Sequence, residues 1–164
     1  MKSSEKYRVL IVCLGNICRS PAAQGVLEHL ISQRGLEHII VVDSAGTYGG
    51  HSGDLPDPRM RSHAKRRGYD LRHIARKINS WDFHDFDLIV GMDDMNVRDL
   101  KRMAATAQEQ DKVVMIGKYL SRNAHYDYVP DPYYEGSEGF ELVLDLLEDA
   151  CQNLLYEIIN IIKI

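Results

Sequence analysis

The stretch Tyr7-Arg8-Val9-Leu10-Ile11-Val12-Cys13-Leu14-Gly15-Asn16-Ile17-Cys18-Arg19-Ser20-Pro21-Ala22-Ala23 decides the fold. Its first half, Tyr7–Leu14, is short, apolar and rich in β-branched residues, and Gly15-Asn16 ends it. That pattern predicts a buried strand. Pro21 suits the first turn of a helix, where its missing N–H costs nothing. Ala22, Ala23, Val26, Leu27, Leu30 and Ile31 then recur at helical spacing. The helix runs to about Arg34, and Gly35 stops it. Strand, tight loop and helix therefore follow one another within some thirty residues.

The same alternation repeats along the chain. Ile39–Val42 reads as a second strand that empties into a polar, glycine-rich loop, Asp43–Asp57. A helix opens at Pro58 and ends at Gly68; its Arg59, Arg61, Lys65, Arg66 and Arg67 read as a solvated basic face. Asp87–Met92 is a third strand, with Asp93-Asp94 capping the helix after it. Lys112–Ile116 is a fourth. After a loop rich in Asp, Pro and Tyr, Tyr126–Gly139, a last helix starts near Ser137, with an apolar stripe from Phe140 to Ile162. Strands alternating with helices, joined by short connections, predict an α/β fold: a doubly wound, four-stranded parallel sheet with helices on both faces. Residues 1–164 read as a single domain. Such folds bind ligands at the carboxyl ends of their strands, where the Cys13 loop, the Ser44 loop and the Met92–Asp94 turn all lie.

Composition narrows the function classes. Hydrophobic residues make up 45% of the chain, charged residues 27%, and the net charge is −4. No basic excess points to nucleic acid. No apolar run approaches membrane-spanning length, so no membrane insertion is expected. The polar start, Met1–Arg8, does not resemble a signal peptide. Three cysteines without zinc-like spacing suit a reducing, cytoplasmic setting and imply no metal.

The loop Cys13–Ser20 carries the chemistry. A thiol becomes a nucleophile when it loses its proton, and both positive charge and a helix N-terminus favour that loss. Arg19 and the helix start at Ser20-Pro21 supply the two. The backbone N–H groups of Leu14, Gly15, Asn16, Ile17, Cys18 and Arg19 can curl into a nest around an anion. Gly15 and Asn16 tolerate the positive φ that such a curl requires. The planar fork of Arg19 suits two phosphoryl oxygens. Ser20 can donate a hydrogen bond to the thiolate. A Walker-type loop is excluded, because no Gly-Lys-Ser/Thr follows. These features point to cysteine-dependent phosphate ester hydrolysis, which also needs an acid for the leaving oxygen. Asp131, set between Pro130 and Pro132, offers one, although an Asp-Pro turn alone is equally served by that sequence.

Taken together, Cys13-Leu14-Gly15-Asn16-Ile17-Cys18-Arg19-Ser20-Pro21 and Asp131-Pro132-Tyr133-Tyr134 resemble the low-molecular-weight protein tyrosine phosphatase family. Asp43-Ser44-Ala45-Gly46-Thr47, Pro56-Asp57-Pro58-Arg59, His73-Ile74-Ala75-Arg76 and Met92-Asp93 with Asn96 follow in the family's order. The resemblance implies that Cys13 attacks phosphorus to give a phosphocysteine. Arg19 and the loop amides stabilise the phosphoryl charge, and Asp131 serves as general acid and then base. It implies that Asn16, Ser44 and His73 hold the loop in shape through hydrogen bonds, and that Tyr133 lines the substrate cleft. The substrate would be a phosphotyrosine-bearing protein, with no metal or organic cofactor. A sulfenic acid on Cys13 could condense with Cys18 to a reversible disulfide, the alternative being simple packing of Cys18.

The chain departs from the family pattern in three places. Gly50 stands near a position where many members carry an aromatic residue, so one cleft wall is missing or Tyr48 replaces it. Gln24 stands where members commonly have Glu. Met95 stands where a small polar residue is frequent. Three competing readings remain open at this stage: a thiol-dependent arsenate reductase, a non-catalytic phosphate-binding module, and an enzyme directed at phosphoarginine.

Overall fold

In the computed structural model, which describes residues 5–121 and 125–163, β1 (Tyr7–Cys13) lies inside a parallel sheet between β2 (Ile40–Gly46) and β3 (Leu88–Gly91). A fourth strand, β4 (Val113–Met115), pairs with β3, giving the order β2-β1-β3-β4. The helices are α1 (Arg19–Gln33), α2 (Pro58–Arg66), α3 (Asp82–Asp85), α4 (Asp94–Met103), α5 (Ala107–Gln110) and α6 (Ser137–Ile162). The α/β fold with a four-stranded all-parallel sheet is the one predicted.

A strand covered on both faces is apolar at consecutive positions, and β1 is. Val9 and Ile11 point to a core formed with Val26 and Leu27 of α1, Met60 of α2 and Leu144, Leu147 and Leu154 of α6. Leu10 and Val12 point the opposite way, to Phe83, Phe86, Ile89 and Leu100. Each such side chain contributes about 1.5–3 kcal/mol when fully buried. The two cores clamp β1 from both sides, and Cys13 is its last residue.

Several boundaries differ from the sequence reading, each for a physical reason. The second strand continues to Gly46, through residues read as loop, because β1 keeps pairing with it up to Cys13 opposite Gly46. The polar side chains of that extension are satisfied: Asp43 by Arg76, with Nη2–Oδ2 at 3.0 Å, and Ser44 by Gln24 and Asn16. The short helices α3 and α5 are too brief to show a helical period. The basic face of α2 is only partly solvated. Arg67, just past the helix, bonds Glu148 at 2.7 Å and Glu141 at 2.8 Å, both on α6. Arg59 binds Asp57 and lies 4.8 Å from the centre of the Phe140 ring. Among the described residues no helix is long and apolar enough to cross a membrane.

Candidate active site

Cys13 ends β1 at the carboxyl edge of the sheet, and the chain then curls through residues 14–18 into α1. Asn16 takes the positive φ of this curl, at 58°. Gly15, expected to share that role, does not take it; its missing side chain matters for space, since a Cβ there would lie 3.1 Å from Cδ2 of His51. Main-chain hydrogen bonds tie the loop to the segment after β2. Thr47 N donates to Cys13 O at 3.0 Å, Tyr48 N to Leu14 O at 2.9 Å and Asp57 N to Ile17 O at 2.8 Å. Gly46 permits this closeness, because a Cβ on it would stand 2.6 Å from the Leu14 carbonyl oxygen.

The Cys13 sulfur is held from two directions. Ser20 Oγ is 3.0 Å away, and the Asn16 backbone N–H donates to the sulfur at 3.3 Å. Behind the loop, the buried Asn16 side chain is a junction. Its Nδ2 donates to Ser20 Oγ at 2.8 Å and to Ser44 Oγ at 3.0 Å. Its Oδ1 accepts from Arg76 N at 3.0 Å and from His73 Nε2 at 2.9 Å. Because Oδ1 already accepts from an amide, the His73 tautomer carries its proton on Nε2. Burial lowers the His73 pKa, against the opposing pull of Asp43.

Arg19 is almost wholly buried, at 3% exposure. Its Nη1 donates to Asp93 Oδ2 at 2.6 Å and to the Val129 carbonyl at 3.0 Å. Its Nη2 lies 3.8 Å from Asp131 Oδ2. Burial works against its charge, but Cys13, Asp93 and Asp131 together hold its pKa above the ordinary guanidinium value. Asp93 is thus more than the helix cap expected. It caps α4, accepting from Asn96 N at 2.8 Å, and also fixes the guanidinium. Sequence reasoning missed that second role; its only signal was the Met92-Asp93 pair in the family pattern.

The loop opens into a cleft of about 240 Å³ that brings together Cys13, Leu14, Gly15, Ile17, Cys18, Arg19, Asp131 and Tyr133. Asn16, Ser20, Ser44 and His73 act from behind it. Tyr48, His51 and Tyr134 complete the lining. The rings form a chain: Tyr48 to His51 at 6.3 Å, His51 to Tyr133 at 6.4 Å, Tyr133 to Tyr134 at 5.0 Å between centres. Tyr48 supplies the wall that Gly50 lacks. A Cβ on Gly50 would fall 2.2 Å from Cζ of Tyr48, so the ring covers that glycine. His51 was not singled out in the sequence, since a histidine in a glycine-rich loop carries no local signal. Asp131 stands at the mouth with Oδ1 accepting from Tyr133 N at 3.0 Å. Burial, reinforced by Asp57, pushes the Cys18 thiol well above the usual cysteine range. Among the described residues no group of three or more His, Cys, Asp or Glu side chains could hold a metal ion.

The family model described as low molecular weight phosphotyrosine protein phosphatase matches residues 8–162. A Streptomyces coelicolor protein named low molecular weight protein-tyrosine-phosphatase is 43% identical over 150 residues, 91% of this chain and 92% of its own. A protein tyrosine phosphatase from Entamoeba histolytica superposes with a TM-score of 0.90 at 41% identity, covering 93% of this chain and 97% of that one. A Drosophila arginine phosphatase superposes with a TM-score of 0.84 at 35% identity, covering 91% and 96% of the two chains. The chain belongs to the low molecular weight phosphotyrosine protein phosphatase family.

Proposed function

We propose that the protein hydrolyses phosphotyrosine in proteins, and small aryl phosphates, through a phosphocysteine on Cys13. The observation that carries this reading is the convergence of Cys13, Arg19 and Asp131 on one cleft. The phosphoryl group sits in the curl of residues 13–19, over the start of α1, where no side chain caps the helix. Asp93 and Val129 occupy the Nη1 edge of Arg19, so Nε and Nη2 address the phosphoryl oxygens. The Cys13 thiolate attacks phosphorus, forming the S–P bond as the P–O ester bond breaks. Asp131 gives its proton to the departing tyrosine oxygen. As a carboxylate it then takes a proton from water, whose oxygen attacks phosphorus. The S–P bond breaks, the thiolate returns and inorganic phosphate leaves. Arg19 and the loop amides offset the charge on the equatorial oxygens in both steps.

The aromatic wall from Tyr48 to Tyr134 suits a flat aryl leaving group. Cys151 is fully buried against the Ala23 carbonyl, which removes it as a relay thiol for arsenate reduction. Cys18 lines the same cleft as Cys13. Peroxide would oxidise Cys13 to a sulfenic acid, and attack by Cys18, slowed because burial keeps its thiol protonated, would expel water and form a reversible disulfide. The chemistry needs Cys13 as a free thiolate, so a reducing, cytoplasmic setting suits it, and residues 1–164 act as one domain without a cofactor. A panel of phosphotyrosine and phosphoarginine peptides, with Cys13→Ser as control, tests the reading. Turnover of phosphotyrosine peptides, abolished by the substitution, is expected. Preferential turnover of phosphoarginine, or binding of phosphopeptides without turnover, would overturn it.

A further inference from the structure

The hydrogen bonds behind the nucleophile have a fixed sense, and it can be traced outward from Cys13. Ser20 Oγ accepts from Asn16 Nδ2 at 2.8 Å and lies 3.0 Å from the Cys13 sulfur, which as a thiolate has no proton to give and takes the Ser20 proton. Asn16 cannot flip its amide, because its Oδ1 already accepts from Arg76 N and His73 Nε2. The other Asn16 N–H contact is Ser44 Oγ, at 3.0 Å. A hydroxyl that accepts there must send its own proton elsewhere, and Ser44 sends it to Gln24 Oε1 at 2.6 Å. Gln24 is itself oriented. Its Nε2 donates to the Val42 carbonyl at 3.5 Å, and its side chain hydrogen-bonds Glu28, whose carboxylate accepts. The amide oxygen of Gln24 is therefore the end that faces Ser44.

We infer that Gln24 is a positioning residue: its amide oxygen sets the direction of the relay Ser44–Asn16–Ser20 and so keeps the Ser20 proton on the Cys13 sulfur. The inference rests on the phosphatase reading for its purpose, but the relay itself is geometric. Ser44 is fully buried, and without an acceptor at residue 24 its O–H would have no partner among the groups that now surround it. The Ser44 hydroxyl would then turn away from Asn16 Nδ2. Asn16 would lose one of the bonds that hold its positive-φ backbone, and Ser20 would lose its fixed donor. A charge is not required at residue 24; an acceptor is.

The charged and titratable groups that share the Cys13 cleft are Arg19, Cys18, Asp131 and His51, with the phenols of Tyr48, Tyr133 and Tyr134. Those facing the outer end of the relay are Glu28 on α1, Asp43 on β2, and His73 and Arg76 in the segment after α2. The test is the rate of Cys13 alkylation by iodoacetate against pH, read at Cys13 by mass spectrometry. This readout does not depend on turnover. Gln24→Met should move the midpoint of that curve upward by about one pH unit. Ser44→Ala should move it equally, and the double variant no further, because both break one relay. Gln24→Glu keeps an acceptor for Ser44 but loses the donor to Val42 and Glu28, so its shift should be smaller than that of Gln24→Met. An unchanged midpoint in Gln24→Met would overturn the inference. So would shifts that add in the double variant, or a Gln24→Glu shift equal to that of Gln24→Met. Failure of the wild-type protein to hydrolyse aryl phosphate would overturn the proposed function and leave the alkylation result standing.

Discussion

Arg19 and Asp93 meet through a charge-assisted bond of 2.6 Å between a guanidinium buried at the base of the cleft and the cap of α4. One carboxylate therefore serves two structures. Its Oδ2 holds the clamp, and its Oδ1 holds the helix start. Asp93→Asn retains a capping oxygen but loses the ion pair. It should lower kcat/KM for an aryl phosphate about tenfold and also lower the unfolding free energy, because the buried Arg19 guanidinium loses its charged partner. Asp93→Ala should cost a further ~1 kcal/mol of stability through the lost cap. Steady-state kinetics and urea unfolding on the two variants separate these effects.

Asp131 lies at the mouth of the cleft, and its ion pair with Arg19 among the described residues is a loose one of 3.8 Å. Asp131→Asn should reduce kcat by roughly 10² to 10³ on phosphotyrosine, the range of a lost general acid. The loss should shrink for substrates whose leaving group is a weaker base, since these need no proton. A plot of log kcat against leaving-group pKa should be flat for the wild type and steep for the variant.

Tyr48 and Gly50 are coupled by space, because the ring occupies the position that a side chain at residue 50 would take. Gly50→Ala should displace Tyr48 and raise KM for aryl phosphates. Tyr48→Ala should raise KM up to about tenfold, the scale of a lost aromatic contact. In the Tyr48→Ala background, Gly50→Ala should have almost no further effect. KM values across this double-mutant cycle measure the coupling.

Burial holds His73 below the ordinary imidazole pKa, partly countered by Asp43. The folded chain thus favours the neutral ring, while the unfolded chain takes up a proton near pH 6.5. The stability this contributes is complete above that pH and is lost as pH falls from about 6.5 toward the lower folded value. Urea midpoints measured from pH 7.5 to 5.5 should fall for the wild type. The fall should be smaller for His73→Gln, which lacks the titration.

Local pattern made the strand–loop–helix unit around Cys13 legible, and the alternation that follows made the parallel sheet legible. Cys13, Arg19 and Asp131, which share one cleft, stood out in the sequence because each is the residue type that phosphate ester hydrolysis would call on. What stayed hidden is non-local. Asp93 lies 74 residues from Arg19, and its second function exists only once β1 and β3 are neighbours. Asp43 and Ser44 look like loop residues until Arg76, Gln24 and Asn16 are seen to satisfy them within β2. Arg59 and Arg67 look like surface charge until Phe140 and the carboxylates of α6 are placed beside them. A run of sequence shows what a residue is able to do, whereas its partners depend on how distant elements pack.

The three main-chain bonds from Thr47, Tyr48 and Asp57 to the nucleophile loop involve no side-chain atoms. They act as rails that survive exchange of the residues riding on them, provided the backbone at Gly46 stays free of a Cβ. Tyr48 and His51 can therefore be varied as interchangeable fittings while the sulfur keeps its place. A library randomised at those two positions would sample new leaving groups against an unchanged reaction centre.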